Sequence, residues 1–539
     1  MTLSLTIGCR ARVYRLCCGL LYGGFLVLLS LDSLARADGD LTRTSATLGR
    51  APQELADLTC PPGTRFSKGK PFLFPDGSES SISGMPQQQT KGRAPGLLPD
   101  PKLAKAFRPA AFRAQSAAID SDQIAQMSTD QGAGFRRLAI WGDSHLASGV
   151  FVEALARSLG QQGIPVVTTF IPPYMSRRGV RLPLRAFCLS DDWIFKSTYQ
   201  ADGASDTGPA LAEMRSRARQ SSPPQLALSE SQPTSDLGAE SSRADRAAAY
   251  LGIDLRDEEK QSRVSSLSML YRALHRPLEL ALSINQEAER LIRIEPAAEP
   301  LTVEKLYIEP ADGEPLSTIG IRVVTGELAF QGFDIEHDTS PVLSIDTLAF
   351  PGATVKGWAQ LNPHTLGNLI GSRPYDAVML EYGTNEAAGD FDPGQYTETL
   401  HHALTKLRAV LPNAPCLLIG APDRGSALRV VRPDRTGKAE RVGKSERAQR
   451  MKYAQIHKQL NAIQAQVAAQ YGCHNWDWQL AMGGTGAAYR WAGAKPALMS
   501  RDLIHLTADG YRQSAEALTK KIGWAPSLAP DKASTTVAK

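Results

Sequence analysis

The residues that could do chemistry in this chain are a serine, an asparagine and a glycine, each placed where an apolar run ends, and an Asp-x-x-His pair just before the last helix. Trp141-Gly-Asp-Ser-His145 follows Arg137-Leu-Ala-Ile-Trp141, which reads as a buried strand, and precedes Phe151, Leu155 and Leu159 at a helical interval. In an open α/β sheet, ligands bind at the C-terminal edge of the strands, so Ser144 would stand exposed there with its N–H aimed at any oxyanion forming beside it. The alternative is a helix N-cap, in which Ser or Asp accepts a backbone N–H. Near the other end, Ser500-Arg-Asp502-Leu-Ile-His505 stands just before the last helix. A carboxylate three residues ahead of a histidine can hold the ring's Nδ1–H and leave Nε2 free as a base. An isolated Asp-x-x-His can equally be a surface loop whose Asp starts a helix. No second His or Cys lies at ligand spacing, so no metal site is expected.

Two further words suit the same chemistry. Phe350-Pro-Gly352-Ala-Thr offers a glycine N–H, and Tyr382-Gly-Thr-Asn385-Glu follows the apolar strand Ala377 to Glu381. A glycine N–H, the serine N–H and an asparagine amide make three donors for the charge that develops on a carbonyl oxygen in ester cleavage, each worth on the order of 10² to 10³ in rate. Each word alone could be a turn; in this order, at these strand ends, they are hard to read as turns only.

The rest of the chain bounds what these residues serve. Of 539 residues, 42% are hydrophobic and 21% charged, which suits a globular protein and excludes both wholesale disorder and a polytopic membrane protein. The net charge of +5 is partly local: taking away the first 37 residues, with four arginines and one aspartate, leaves 56 basic against 54 acidic residues. No nucleic-acid partner is indicated. Arg10 to Arg15 is positive, Leu16 to Leu31 is apolar and uncharged, and Ala35-Arg36-Ala37 offers small residues. This is the layout of a secretory signal peptide, with an uncleaved anchor as the alternative; after cleavage no stable membrane insertion is expected, and the location is periplasmic or secreted. Cys60, Cys188, Cys416 and Cys473 would remain, able to form two disulfides in any of three connectivities or to stay as buried thiols.

The expected organisation is a signal peptide over 1–37, an irregular Pro-, Gly- and Ser-rich segment over 38–130, an α/β domain in two parts (131–189 and 346–524), an insert over 190–345 and a tail over 525–539. Within the insert, Ala201 to Lys260 reads as a largely mobile arm. Leu267 to Ile294 has helical periodicity interrupted at Pro277, and Leu301 to Ile335 holds a small β element. Tyr453, Ile456, Leu460, Ile463, Val467 and Tyr471 mark a long amphipathic helix. Gly437 to Ser445 resembles a phosphate-binding loop but has five residues between its glycines and no βα turn after it. The basic run Arg424 to Arg450 reads as a solvated loop entering the long helix, with contact to acidic glycans as the alternative.

The order Gly-Asp-Ser, Gly, Gly-x-Asn, Asp-x-x-His resembles the block pattern of the SGNH (GDSL-like) hydrolases, over residues 135 to 190 and 345 to 523. The resemblance implies a three-layer α/β/α parallel sheet interrupted by a long insert. Ser144 is then the nucleophile, His505 the general base oriented by Asp502, and Gly352 and Asn385 the oxyanion-hole partners of the Ser144 amide, with no metal or organic cofactor. His145 replaces the leucine of the GDSL name, and the gap from Ser144 to Gly352 is unusually long. Gly357 and Gly367 compete with Gly352 for its block. The export signal, the β-containing insert and the Met482-Gly-Gly…Trp491 stretch resemble the peptidoglycan O-acetylesterase branch. The implied activity is removal of O-acetyl groups from a cell-envelope polysaccharide, most simply peptidoglycan. A polysaccharide O-acetyltransferase with the same triad, a lipid acyl hydrolase and a non-enzymatic envelope glycan-binding protein are the alternatives. Trp358, Trp476, Trp478 and Trp491 could stack on sugars, though burial in the core is the commoner fate of tryptophans.

Overall fold

The computed structural model describes residues 57–70, 99–109, 135–162, 164–200, 203, 205–217, 249–273, 277–295, 303–338, 343–426 and 444–524. The signal segment 1–37, most of 38–130, residues 218–248 of the arm, the loop 427–443 and the tail 525–539 lie outside them.

Six strands form a wholly parallel sheet: β1 (Arg137–Gly142), β2 (Val166–Val167), β3 (Leu343–Ala349), β4 (Ala377–Glu381), β5 (Cys416–Ile419) and β6 (His474–Trp476), in the order β6-β5-β4-β1-β3-β2. These runs lack polar alternation because both faces are covered. Leu138 and Ile140 of β1 join one apolar cluster with Leu155, Leu159 and Leu518, whereas Ala139 and Trp141 join another with Trp358, Leu400 and Leu460. Helices α1 (Val150–Gly160) and α4 (Ala508–Lys521) cover the first face; α2 (Pro393–Val410) and α3 (Lys444–Gln470) contribute to the second. The result is the expected three-layer α/β/α arrangement. Local chemistry sets the helix starts. Asp392 caps α2 by accepting the N–H groups of Gly394 and Gln395, with Pro393 in the first turn, and Thr507 caps α4 through Gly510 N–H. All four tryptophans that could have served sugar stacking are buried.

The insert differs from its expected form. Leu267 to Ile294, read as helical, contains the strands Val264–Ala273, Leu278–Ile284 and Arg290–Ile294. Leu278, Leu280, Leu282 and Ile284 recur every second residue and are all buried, the strand period. In Val264–Ala273, Leu267, Met269, Leu270 and Tyr271 are all buried, so both strand faces are apolar and imitate a helical interval. The β element is also not small. One six-stranded antiparallel sheet runs Thr64–Lys68, Ala186–Ser190, Tyr250–Asp254, Thr318–Thr325, Leu278–Ile284, Arg290–Ile294. A second holds Glu304–Ile308, Val264–Ala273, Leu328–His337, Ala212–Ser216 and Trp193–Ser197, with Phe170–Ile171 paired to Leu328–His337. Ala212–Ser216 and Tyr250–Asp254 fall in the arm read as mobile. Both pair with strands about 60 to 115 residues away, and Ala212–Ser216 also with the nearer Trp193–Ser197, pairings that local composition does not reveal. Strands from before residue 190 belong to these sheets too, so the β portion is assembled from three stretches of chain.

Two disulfides, Cys60–Cys188 and Cys416–Cys473, select one of the three connectivities. The first ties the Thr64–Lys68 edge to its neighbour strand, and the second joins the start of β5 to the residue before β6.

A buried ionic knot joins the two kinds of sheet. Asp346 of β3 is fully buried and accepts from Thr168 Oγ1 (2.9 Å), Thr169 N (2.6 Å) and Oγ1 (2.8 Å), Phe170 N (2.9 Å) and Tyr375 Oη (3.1 Å). Arg137 lies 4.2 Å over the Tyr375 ring and pairs with Asp346 (3.5 Å) and with Asp334 (3.4 Å) on the antiparallel strand Leu328–His337. Truncating one member of such a network strands several buried donors. Asp346→Ala is expected to cost about 3 to 5 kcal/mol, read as a lowered urea midpoint; a midpoint within experimental error of the parent would refute the assignment.

Candidate active site

The parallel register sets the site. Gly142, last in β1, is level with Ala349 of β3 on one side and Glu381 of β4 on the other. The three strands therefore end together, and the three words that follow them (Asp143-Ser144, Phe350-Pro-Gly352, Tyr382-Gly-Thr-Asn385) occupy adjacent positions on one edge, with Ser144 in the middle. A Cβ on Gly142 would lie 2.6 Å from Leu146 Cδ1 and 2.9 Å from Glu381 Oε2, so only glycine fits. Asp143 caps the short helix Ser144–Ala147 by accepting His145 N–H (2.9 Å), which leaves the Ser144 N–H as the first amide of that helix. Gly352 sits at φ +85°, in the left-handed region that favours glycine. Neither Gly357 nor Gly367 follows a strand end: both lie in short helices, Lys356–Gln360 and Pro363–Ile370.

The fourth word reaches Ser144 from 361 residues away. Ser144 Oγ lies 2.9 Å from His505 Nε2, and His505 Nδ1 lies 2.7 Å from Asp502 Oδ2. The other Asp502 oxygen accepts the N–H groups of Ile504 (2.9 Å) and His505 (3.0 Å). This tight turn places Leu503 at φ +58°, where Gly425 N–H donates to Leu503 O (2.9 Å). Burial would raise the Asp502 carboxyl, but the His505 ring and the two amides outweigh it and hold the group below the usual carboxylate range. Asp502 thus stays ionised, and with Nδ1–H turned to it, His505 presents Nε2 as an acceptor for the Ser144 hydroxyl. Side chains of Asp502 and His505 are 45% and 41% exposed, open to a bulky substrate.

Asn385 stands beside Ser144's own turn: its Nδ2 donates to Asp143 Oδ2 (3.2 Å) and to Ala353 O (2.9 Å). That single amide ties the loop after β4 to the loops after β1 and β3. An oxyanion could draw on it by replacing one of these acceptors.

Sequence reasoning passed over three features of the site. His145 is fully buried, with Nδ1 3.1 Å from Tyr511 Oη and its ring centroid 5.5 Å from that of His505; burial, then the neighbouring His505, keeps it neutral. It forms a packed wall behind the His505 ring, tied to Tyr511 by that hydrogen bond. The second feature is a row of three acidic residues beneath the loops. Glu381 Oε2 accepts Asp143 N–H (3.1 Å), and both carboxyls are raised by burial; Glu381 is raised further by the Asp143 charge, so it retains the proton. Glu386 accepts Val355 N–H (2.8 Å) through one oxygen and Gly383 N–H (3.0 Å) through the other, bridging the loops after β3 and β4, and burial pushes it up to about 7. The one available signal was a glutamate closing the apolar run Ala377 to Glu381. The third feature is a pair of arginines, Arg177 and Arg424, bonded to Pro351 O and Thr384 O. Among the described residues no group of three His, Cys, Asp or Glu could hold a metal ion.

A carboxyl raised in the folded state contributes stability that is full below the ordinary glutamate range and is lost as pH climbs through its folded value, here about 7. Thermal midpoints are therefore expected to fall between pH 5 and pH 8, and Glu386→Gln, which does not ionise, should flatten that slope. Parallel slopes for parent and variant would remove Glu386 from the account.

Residues 333–513 match the profile of the GDSL-like Lipase/Acylhydrolase family, a span that holds Gly352, Asn385, Asp502 and His505 and begins after the Ser144 turn. No curated protein sequence matches significantly. Among solved structures, the chain is similar to a peptidoglycan O-acetylesterase at 17% identity, over 74% of this chain and 93% of that one, with a TM-score of 0.46. It is also similar to the psychrotrophic esterase EstA from Pseudoalteromonas sp. (16% identity, 34% of this chain and 77% of that one, TM-score 0.23). A third likeness is to a family two carbohydrate esterase from Clostridium thermocellum (9% identity, 52% and 93% covered, TM-score 0.21). The match identifies a GDSL-like lipase/acylhydrolase domain over residues 333–513, the kind of domain that hydrolyses carboxylic esters.

Proposed function

We propose that this protein is a serine esterase that removes O-acetyl groups from a cell-envelope polysaccharide, with peptidoglycan as the first substrate to test. The observation that carries the mechanism is the unbroken chain from Ser144 Oγ through His505 to Asp502, at 2.9 Å and 2.7 Å, on the edge where three parallel strands end. His505 Nε2 takes the hydroxyl proton as Ser144 Oγ attacks the acetyl carbonyl. Asp502 stabilises the imidazolium that results. The oxyanion is met by the Ser144 and Gly352 N–H groups and by Asn385 Nδ2, which exchanges its Asp143 bond for the new charge. His505 then protonates the departing sugar oxygen, and water, deprotonated by the same nitrogen, releases acetate from the acetyl-enzyme.

The acetyl-glycan assignment draws on the resemblance of the sequence to the peptidoglycan O-acetylesterase branch and on the export-type N-terminus. A peptidoglycan O-acetylesterase is also among the similar solved structures. The open, half-exposed Asp502–His505 pair suits a polymer rather than a lipid chain drawn into a tunnel. The protein would act in the periplasm or outside the cell; among the described residues no helix is long and apolar enough to cross a membrane.

The test is acetate release from O-acetylated peptidoglycan together with turnover of 4-nitrophenyl acetate. Ser144→Ala should abolish both. Asn385→Ala should lower kcat by about 10² to 10³. Undiminished turnover by Ser144→Ala would end the mechanism, and a parent enzyme that moves acetyl to a sugar acceptor in place of water would select the transferase.

A further inference from the structure

Two arginines stand against the loops that carry Gly352 and Asn385. Arg177 Nη2 donates to Pro351 O at 2.8 Å, one residue before Gly352, and its guanidinium lies 5.0 Å over the Phe195 ring. Arg424 Nη1 is 3.4 Å from Thr384 O, one residue before Asn385, and its guanidinium lies 4.3 Å over the Tyr453 ring. Among the described residues neither forms an ion pair, and the Nε of each is buried without a hydrogen-bond partner. The backbone next to Arg424 abuts the base: Gly425 N–H donates to Leu503 O, inside the Asp502–His505 turn. Arg424 thus starts beside the His505 turn and ends beside the Asn385 loop, on the wall between them.

Bracing a carbonyl needs only a neutral donor, and an amide would serve. A half-buried guanidinium with no carboxylate in ion-pair contact carries a desolvation cost, and at Arg424 that cost outweighs the help it receives from the Tyr453 ring and the more distant Asp502 charge. The flat aromatic faces beneath both groups hold them in place without neutralising them. Two such cations flanking one reacting carbonyl make a site whose field favours negative charge in what it binds. Arginine's planar fork matches a carboxylate in particular.

We propose that Arg424 is a specificity-determining residue that receives a carboxylate on the acylated sugar, with Arg177 on the other flank adding to the same field, so that the preferred substrates are O-acetylated acidic sugars. This rests on the reading of the protein as a glycan O-acetylesterase. The carboxylate could be the lactyl group of a muramic acid or the C6 acid of a uronic acid; the recognition chemistry is shared.

The experiment compares acetate release by the full chain from O-acetylated muramic acid, O-acetylated glucuronic acid and the methyl ester of each. For at least one pair, kcat/KM for the free acid should exceed that for its ester by roughly tenfold or more, and the pair that shows the gap identifies the source of the acid. Salt of about 0.5 M should narrow the gap. Arg424→Gln should bring the acid-to-ester ratio near unity, mainly through KM, and Arg424→Lys should keep part of it. Equal kcat/KM for acids and esters in the parent protein overturns the proposal without touching the esterase reading. A parent preference that Arg424→Gln leaves intact, with both members of the pair slowed alike, also overturns it and makes Arg424 a brace for the Asn385 loop. Turnover of 4-nitrophenyl acetate with none of any acetyl sugar overturns the glycan reading and this proposal with it. The parent comparison needs no variant, so a poorly folding Arg424→Gln does not remove the test.

Discussion

At Gly142 there is no room for a side chain, because Leu146 turns back over it from one side and Glu381 presses against it from the other. That crowding results from three parallel strands ending level, β3 and β4 flanking β1. With the strand ends aligned, the turns that follow them need only a few residues each to surround one point above Ser144. The hydrogen bonds between the turns, from Asn385 to Asp143 and to Ala353 and from Val355 and Gly383 to Glu386, tie three separate loops into one base. Shifting any one strand by a residue would turn its side chains to the opposite face and separate these partners.

Charge is distributed around this base unequally. Below it, buried carboxyls are pushed toward their neutral forms, chiefly because burial disfavours the charge and, at Glu381, because the Asp143 charge lies beside it. Beside it, Asp502 is held ionised by the ring and amides it accepts from. On the flanks stand the Arg177 and Arg424 guanidiniums, each bonded to a loop carbonyl but with no carboxylate in ion-pair contact among the described residues. A carbonyl seated above Ser144 would therefore meet two glutamic acids held toward neutrality beneath, the Asp143 and Asp502 charges each taken up by hydrogen-bond donors, and guanidiniums at the sides. That pattern suits negative charge forming on the substrate better than negative charge already held by the protein.

How much of this was legible in the sequence varies by element. β1, β4 and β5 are short apolar runs closed by glycine or glutamate, and burial on both faces leaves them no other reading. Helix α3 announces itself by six apolar residues at intervals of three and four. The antiparallel sheets do not announce themselves. Leu267, Met269, Leu270 and Tyr271 are buried on both strand faces, so their run has no period of two to detect. Ala212–Ser216 and Tyr250–Asp254 lie in a polar stretch of sequence, and their distant partners are Leu328–His337 and Thr318–Thr325. Strand order of that kind depends on partners far along the chain, and strand propensity is weak without them.

The site divides in the same way. Residue types and order alone supplied a candidate serine, a histidine with a carboxylate three residues ahead of it and a set of candidate amide donors, since each is a short local word. Only the tertiary structure decided that Ser144 and His505 meet across 361 residues, that Glu386 rather than a backbone group joins two of the loops, and that Arg424, in sequence one of many basic residues before a long helix, ends beside Asn385. Local words are set by neighbours within a few positions, whereas each of these contacts requires the sheet register to be complete, and register is a property of the whole folded core.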